Sequence, residues 1–194
     1  MRVGYIGNFE PEHSTENHVA QAVRHLGHEL IALQENSAAT WRALSSDELN
    51  YDIVLWTRTG WPWPQFGLST PEAHELQRRF LARAREADVP TVGYHLDRWW
   101  GLNRQGEVHK EPFFKCSVVI TADGGHDARW KEAGVNHVWM PPGVSEFECE
   151  PGEPRPDFAS DIAFVGSWQP GYHAEYPYRP ALIAYLQGLS LIHI

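Results

Sequence analysis

The chain has 194 residues, 42% of them hydrophobic and 21% charged, close to ordinary globular usage. Domains usually run about 100–150 residues, so one full domain plus part of another fits the length. A net charge of −9 argues against a general nucleic-acid binder, which needs a basic face to neutralise phosphates, yet local donors can still hold a small anionic ligand.

Cys116 and Cys149 are too few and too far apart for a disulfide framework or a metal knuckle, and Cys116, in an apolar run, reads as a buried thiol. The N-terminus, MRVGYIGNF, lacks the long apolar segment of a signal peptide. No stretch approaches the ~18 consecutive apolar residues of a membrane span, so the expected setting is soluble and cytoplasmic.

In chain order, short β-rich runs alternate with helical patterns, which predicts a parallel sheet with crossover helices. Arg2–Gly7 reads as a buried strand, followed by a loop over Asn8–His13. Ser14 is placed to N-cap a helix whose Val19, Ala22, Val23 and Leu26 recur at helical spacing, with Gly27 as its left-handed cap. A strand at about His28–Leu33, a short helix at about Ala38–Leu44 and a strand at Ile53–Thr57 follow. Gly60–Ser69 reads as a Pro/Trp-rich loop, and Pro71–Ala87 as an amphipathic helix with Pro in its first turn. Strands are expected at Thr91–His95, Ser117–Thr121 and His137–Met140, with a helix over Gly124–Ala133 ending at Gly134.

Beyond that point the composition shifts. Glu146–Pro156 (EFECEPGEPRP) is acidic and Pro-rich, the pattern of an extended connector. Asp161–Val165 then reads as a fresh strand, followed by a helical pattern from about Arg179 to Gln187. The expected organisation is a Rossmann-like, doubly wound α/β domain over 1–145, a linker over 146–160 and an incomplete second α/β domain over 161–188. The final LSLIHI, 189–194, breaks the helical pattern and is expected to be an artefactual tail on a truncated chain.

In a doubly wound sheet, ligands bind beyond the carboxyl ends of the strands. Here those positions are Asn8–Ser14, Trp56–Trp63, His95–Trp100, Ala122–His126 and Pro141–Val144, and they are rich in His, Trp, Asp and Gly. The first loop, GYIGNFEPEHS, lacks the GxGxxG spacing that lets backbone approach a pyrophosphate, which speaks against a nicotinamide or flavin. His95 and Asp97 follow a strand directly. His95 has the chemistry to donate to a sugar hydroxyl or assist proton transfer, and Asp97 to orient the imidazole or bind a hydroxyl itself; capping of backbone groups is the plainer alternative. Trp61, Trp63, Trp99 and Trp100 stand in expected loops, where flat rings either stack on sugars or bases or anchor the loop on the core. His13, His18, His25 and His28 do not place three ligands on one face, so no metal site is expected.

Three segments carry a family resemblance. ENHVAQAVRHLGHELIAL, 16–33, resembles the first helix and second strand of GT-B glycosyltransferases, particularly the retaining family 4-like group, including its Gly-His-hydrophobic step at Gly27–Leu30. VWMPPGVSEFECEP, Val138–Pro151, resembles the segment closing the N-terminal domain, and IAFVGSW, Ile162–Trp168, resembles the strand and Gly loop that open the nucleotide-sugar domain. Departures at Ser145, at Trp168 and at the Pro170–His173 insert resemble a divergent branch such as the CgeB-like transferases. The resemblance implies transfer of a sugar from a nucleotide-diphosphate-sugar donor to an acceptor hydroxyl, without a resident cofactor or metal. It implies His95 and Asp97 as catalytic groups, Asn8, His13, Trp61, Trp63 and Trp99 around the acceptor, and Gly166 and Ser167 at the donor. Two other readings stay open: a non-catalytic α/β module recognising carbohydrate or nucleotide, and a flavodoxin- or regulator-like single domain.

Overall fold

The computed structural model describes residues 1–46, 48–59, 63–143, 152–153, 156, 162–163, 178–188 and 192–193. The chain divides into two compact units, Met1–Gly143 and Val144–Ile194. The first unit is built from β1 (Arg2–Gly7), α1 (Thr15–His25), β2 (Glu29–Gln34), α2 (Ala38–Ser46), β3 (Ile53–Thr57), α3 (Thr70–Glu86), β4 (Thr91–His95), β5 (Val118–Thr121), α4 (Asp127–Glu132) and β6 (His137–Trp139). Its six strands form one sheet in the order β2-β1-β3-β4-β5-β6, every pairing parallel. This is a Rossmann-like α/β arrangement.

Local chemistry explains the helix ends. Ser14 accepts from the Asn17 N–H, satisfying one of the donors that the first turn of α1 leaves orphaned, and Gly27 ends the helix at φ 78°. Ser69 and Glu72 form a reciprocal capping box on α3, with Pro71 in the first turn. α3 buries Ala73, Gln77, Phe80, Leu81 and Ala84, one stripe of a 3.6-residue period.

Register decides which side chains share a face. Ile6 lies opposite Trp56, and Trp56 opposite Gly93, so all three project to one side of the sheet. On that side Trp56 meets Trp41 of α2 at 5.0 Å and Phe113 at 5.3 Å between ring centroids. Gly93 is required there, because a Cβ on it would stand 2.9 Å from the Phe113 ring. Gly7 projects to the opposite side, where its nearest neighbour is Glu16 of α1. Helices thus cover both faces, as parallel sheets require.

Three connections depart from the expected pattern. Trp63–Phe66 is a 3-10 turn within the Pro/Trp-rich loop. The crossover from β4 to β5 contains 3-10 turns at Asn103–Glu107 and Pro112–Lys115. α4 starts at Asp127, because Gly124 and Gly125 form a turn with Gly125 at φ 77°. Cys116 is buried, and burial pushes its thiol up to about 12.

In the second unit, β7 (Ile162–Ala163) and β8 (Ile192–His193) pair in parallel, with α5 (Tyr178–Gly188) between them in sequence. Ile192 and His193 belong to the segment expected to be an artefactual tail. Most of the expected linker and the Gly loop lie outside the described residues.

Candidate functional site

All strands of the large sheet end on one edge. The chain leaves β1 for β2 on one side, whereas β3 and the strands after it extend the sheet on the other. That switch point is where open α/β sheets leave a crevice for ligands. The residues leaving β1, β2 and β3 there include Asn8, Glu35 and Arg58, with His95 closing β4.

Glu35 is 1% exposed. Its carboxylate accepts from Trp56 Nε1 at 2.8 Å and from the Thr59 N–H at 3.0 Å, while its carbonyl accepts from Trp41 Nε1 at 2.7 Å. Such charge-assisted bonds are what make a buried carboxylate tolerable. Beside it, Arg58 Nη2 reaches Glu111 at 3.1 Å and Glu107 at 3.4 Å, and its guanidinium lies 5.2 Å from the Trp99 ring centroid. Arg104 stands 5.4 Å from the same centroid and donates to Asp97 at 3.2 Å. From α3, His74 Nε2 comes within 3.5 Å of Glu111. Arg58 therefore ties the end of β3 to the crossover that follows β4.

His95 is 8% exposed and packs edge-on against Trp99, with ring centroids 4.9 Å apart. Burial lowers its pKa to about 4; the Asp97 charge opposes that shift, and Arg58 and Arg104 add to it. Its Nδ1 accepts from the Asp97 N–H at 3.1 Å, so the proton of the neutral ring sits on Nε2. An imidazole with a lowered pKa and an engaged Nδ1 offers its Nε2–H as a hydrogen-bond donor near neutral pH. Asp97 hydrogen-bonds His95 through its backbone N–H, while its exposed carboxylate pairs with Arg104.

The expected acceptor residues scatter. Trp99 has no exposed surface and Trp63 only 6%, so both rings belong to the core and neither offers an open face for stacking. Trp63 packs against Trp41 of α2 at 6.4 Å and Trp99 against Phe114 at 4.8 Å between ring centroids, so each is enclosed by other rings. Asn8 accepts from Gln34 Nε2 at 3.1 Å, holding the ends of β1 and β2 together. His13 is exposed in the loop before α1. Trp61, Gly166 and Ser167 lie outside the described residues.

Sequence reasoning passed over Glu35, His74, Glu107 and Glu111, and covered Arg58 only as part of the Trp56–Trp63 loop. Glu35 had a signal, since it directly follows the carboxyl end of β2, a strand end left out of the expected loops. Glu107 and Glu111 lie in a crossover without helical or strand periodicity, and only the fold brings them to Arg58.

Asp123 has no exposed surface and accepts from the N–H groups of Trp99 at 2.6 Å and Trp100 at 3.3 Å, pinning the loop after β4. Nearby, Thr121 Oγ1 is 2.9 Å from His137 Nε2, and His137 Nδ1 is 3.9 Å from Asp127. The order mimics a nucleophile, base and acid set. Thr121, however, is fully buried and also accepts from the Asp123 N–H, so no substrate reaches it. Among the described residues, no three His, Cys, Asp or Glu side chains are grouped to hold a metal ion. No helix among them is long and apolar enough to cross a membrane. The chain matches no protein-family model and no curated protein.

Proposed function

We propose that the protein, in its full-length form, is a GT-B type glycosyltransferase whose first unit holds the acceptor. The observation that supports this best is the mixed polar cluster at the switch point. Arg58, Glu111, His95 and Asp97 present donors and acceptors side by side near the carboxyl ends of β3 and β4, and the loop after β1 lacks the Gly-rich phosphate cradle of a dinucleotide enzyme. Hydroxyls need such a mixture, since each donates once and accepts twice. The resemblance of the 16–33, 138–151 and 162–168 segments supports the same reading.

In the reaction, the acceptor hydroxyl oxygen forms a bond to the anomeric carbon of the donor. The bond from that carbon to the diphosphate breaks, and the nucleoside diphosphate leaves with the electron pair. In this reading the His95 Nε2–H donates to the acceptor oxygen and the exposed Asp97 carboxylate takes the hydroxyl proton. At the donor, helix N-termini, backbone N–H groups and basic side chains would neutralise the leaving diphosphate.

A non-catalytic carbohydrate-binding module draws on one observation: burial lowers the His95 pKa to about 4 and so weakens the ring as a base near neutral pH. Hydrolysis of UDP-, GDP- and dTDP-sugars by the full-length protein separates the two. Asp97→Asn is expected to lower turnover roughly 10²–10⁴-fold, the usual span for a general base, with an unchanged melting temperature. Absence of turnover with every donor would leave the binding module as the better account.

A further inference from the structure

Doubly wound sheets that bind nucleotides seat a phosphate between the end of the first strand and the first turn of the helix that follows. In this protein that place is filled from within. Glu16, in the first turn of α1, is 6% exposed, and its Oε1 accepts from the Asn8 N–H at 3.2 Å. Gly7 makes room for it, since a Cβ there would stand 2.6 Å from Glu16 Cγ. We propose that Glu16 is a specificity-determining residue: its built-in carboxylate occupies the anion position, so the first unit refuses phosphate groups there and takes a ligand that is uncharged at this point. That the ligand is an acceptor rests on the transferase reading; the refusal of phosphate does not.

The backbone donors of the loop support this. A phosphate at such a turn is held by main-chain N–H groups, and here they are already engaged. Asn8 donates to Glu16, Phe9 N–H to Gln34 Oε1 at 3.1 Å, and Glu10 N–H to Asn8 Oδ1 at 3.4 Å. Pro11 has no N–H to offer, and Ser14 N–H donates to the Pro11 carbonyl at 3.1 Å. Asn17 locks the loop from the helix side, its Nδ2 donating to the Phe9 and Pro11 carbonyls at 3.1 Å and 2.8 Å. An entering phosphate would have to break these bonds before making its own.

Charge acts in the same direction. The segment NFEPEHSTE, 8–16, carries three carboxylates and no Lys or Arg. The buried Tyr5 hydroxyl, on β1 beside this loop, registers the sign of the local field. Burial raises its pKa most, and the charges of Glu16 and Glu35 both raise it further. A phosphate would therefore meet like charge at short range where water is scarce, whereas a hydroxyl meets no such repulsion. The dipole of α1 favours a negative group in the first turn, so the field that would draw a phosphate holds the Glu16 carboxylate instead.

The test is NMR titration of the isotope-labelled full chain with inorganic phosphate and pyrophosphate at constant ionic strength, following the amides of Gly7 and Asn8. The wild type should show no saturable shift at millimolar concentration. Glu16→Ser removes the charge and clears the space, and should bind phosphate at least tenfold more tightly than the wild type. Glu16→Gln keeps the shape of the side chain and removes only the charge; it decides the matter, with a severalfold gain expected, if Glu16→Ser fails to fold. Saturable phosphate binding at Asn8 in the wild type, or no gain in the deciding variant, would overturn the proposal. Donor hydrolysis by the full-length protein is measured alongside. Turnover by a protein whose Asn8 amide takes phosphate overturns this inference and leaves the transferase, whereas phosphate refused by the wild type and admitted by Glu16→Ser, without turnover of any donor, does the reverse.

Discussion

At the scale of single residues, burial of histidine is the dominant electrostatic feature of the first unit. His74, His95 and His137 all have pKa values lowered by burial, so each favours its neutral form when folded. As pH falls below the ordinary histidine value of about 6.5, the unfolded chain takes up protons first and folding loses free energy. For His95 the loss extends down to its folded value of about 4 and reaches at most ~3 kcal/mol. Urea unfolding is therefore expected to show stability falling between pH 6.5 and 4, with a shallower fall in His95→Gln. Parallel profiles for the two proteins would remove His95 from this account. The same burial explains why a sequence reading assigns proton transfer to His95: its place at a strand end is legible, but its dielectric surroundings are not.

At the scale of elements, the long periodic segments were legible and the aperiodic ones were not. β1, β3 and β4 keep the bounds that their apolar runs imply, and Ser14, Gly27 and Gly134 mark helix ends through chemistry visible in the sequence. The crossover from β4 to β5 gave no such signal, since 3-10 turns have no long repeat. For the same reason Trp99 looked available, although it is buried against His95 and Phe114, while Trp63, in the loop before α3, is buried against Trp41. The loop after β4 owes its shape to Asp123, which reaches in from the end of β5 and accepts from two backbone N–H groups. Asp123→Ala leaves those donors buried without an acceptor and should cost about 1–3 kcal/mol. Asp123→Asn keeps one carbonyl oxygen and should cost less. Thermal melting checks the order, and equal melting temperatures for all three proteins would refute the pinning role.

At the scale of the whole molecule, all six strands of the large sheet and the helices that flank it lie within Met1–Gly143. A core of that extent buries most of its chain's apolar surface, as domains near 150 residues do. Residues 1–143 expressed alone are expected to unfold in one cooperative thermal transition. A broad transition with dye-binding apolar surface would show instead that the sheet depends on residues after 143. Within this unit the aromatic contacts are continuous across one face of the sheet. They run from Trp63 to Trp41, Trp56, Phe113, Phe114, Trp130 and Trp100, each ring within 6.4 Å of the next. Indoles this close share excitation energy, so light absorbed by one is emitted by whichever lies lowest in energy. The ultraviolet emission of Trp63, Trp41 and Trp56 is then a shared property, and a ligand that perturbs the Trp63 end alters the signal of all three.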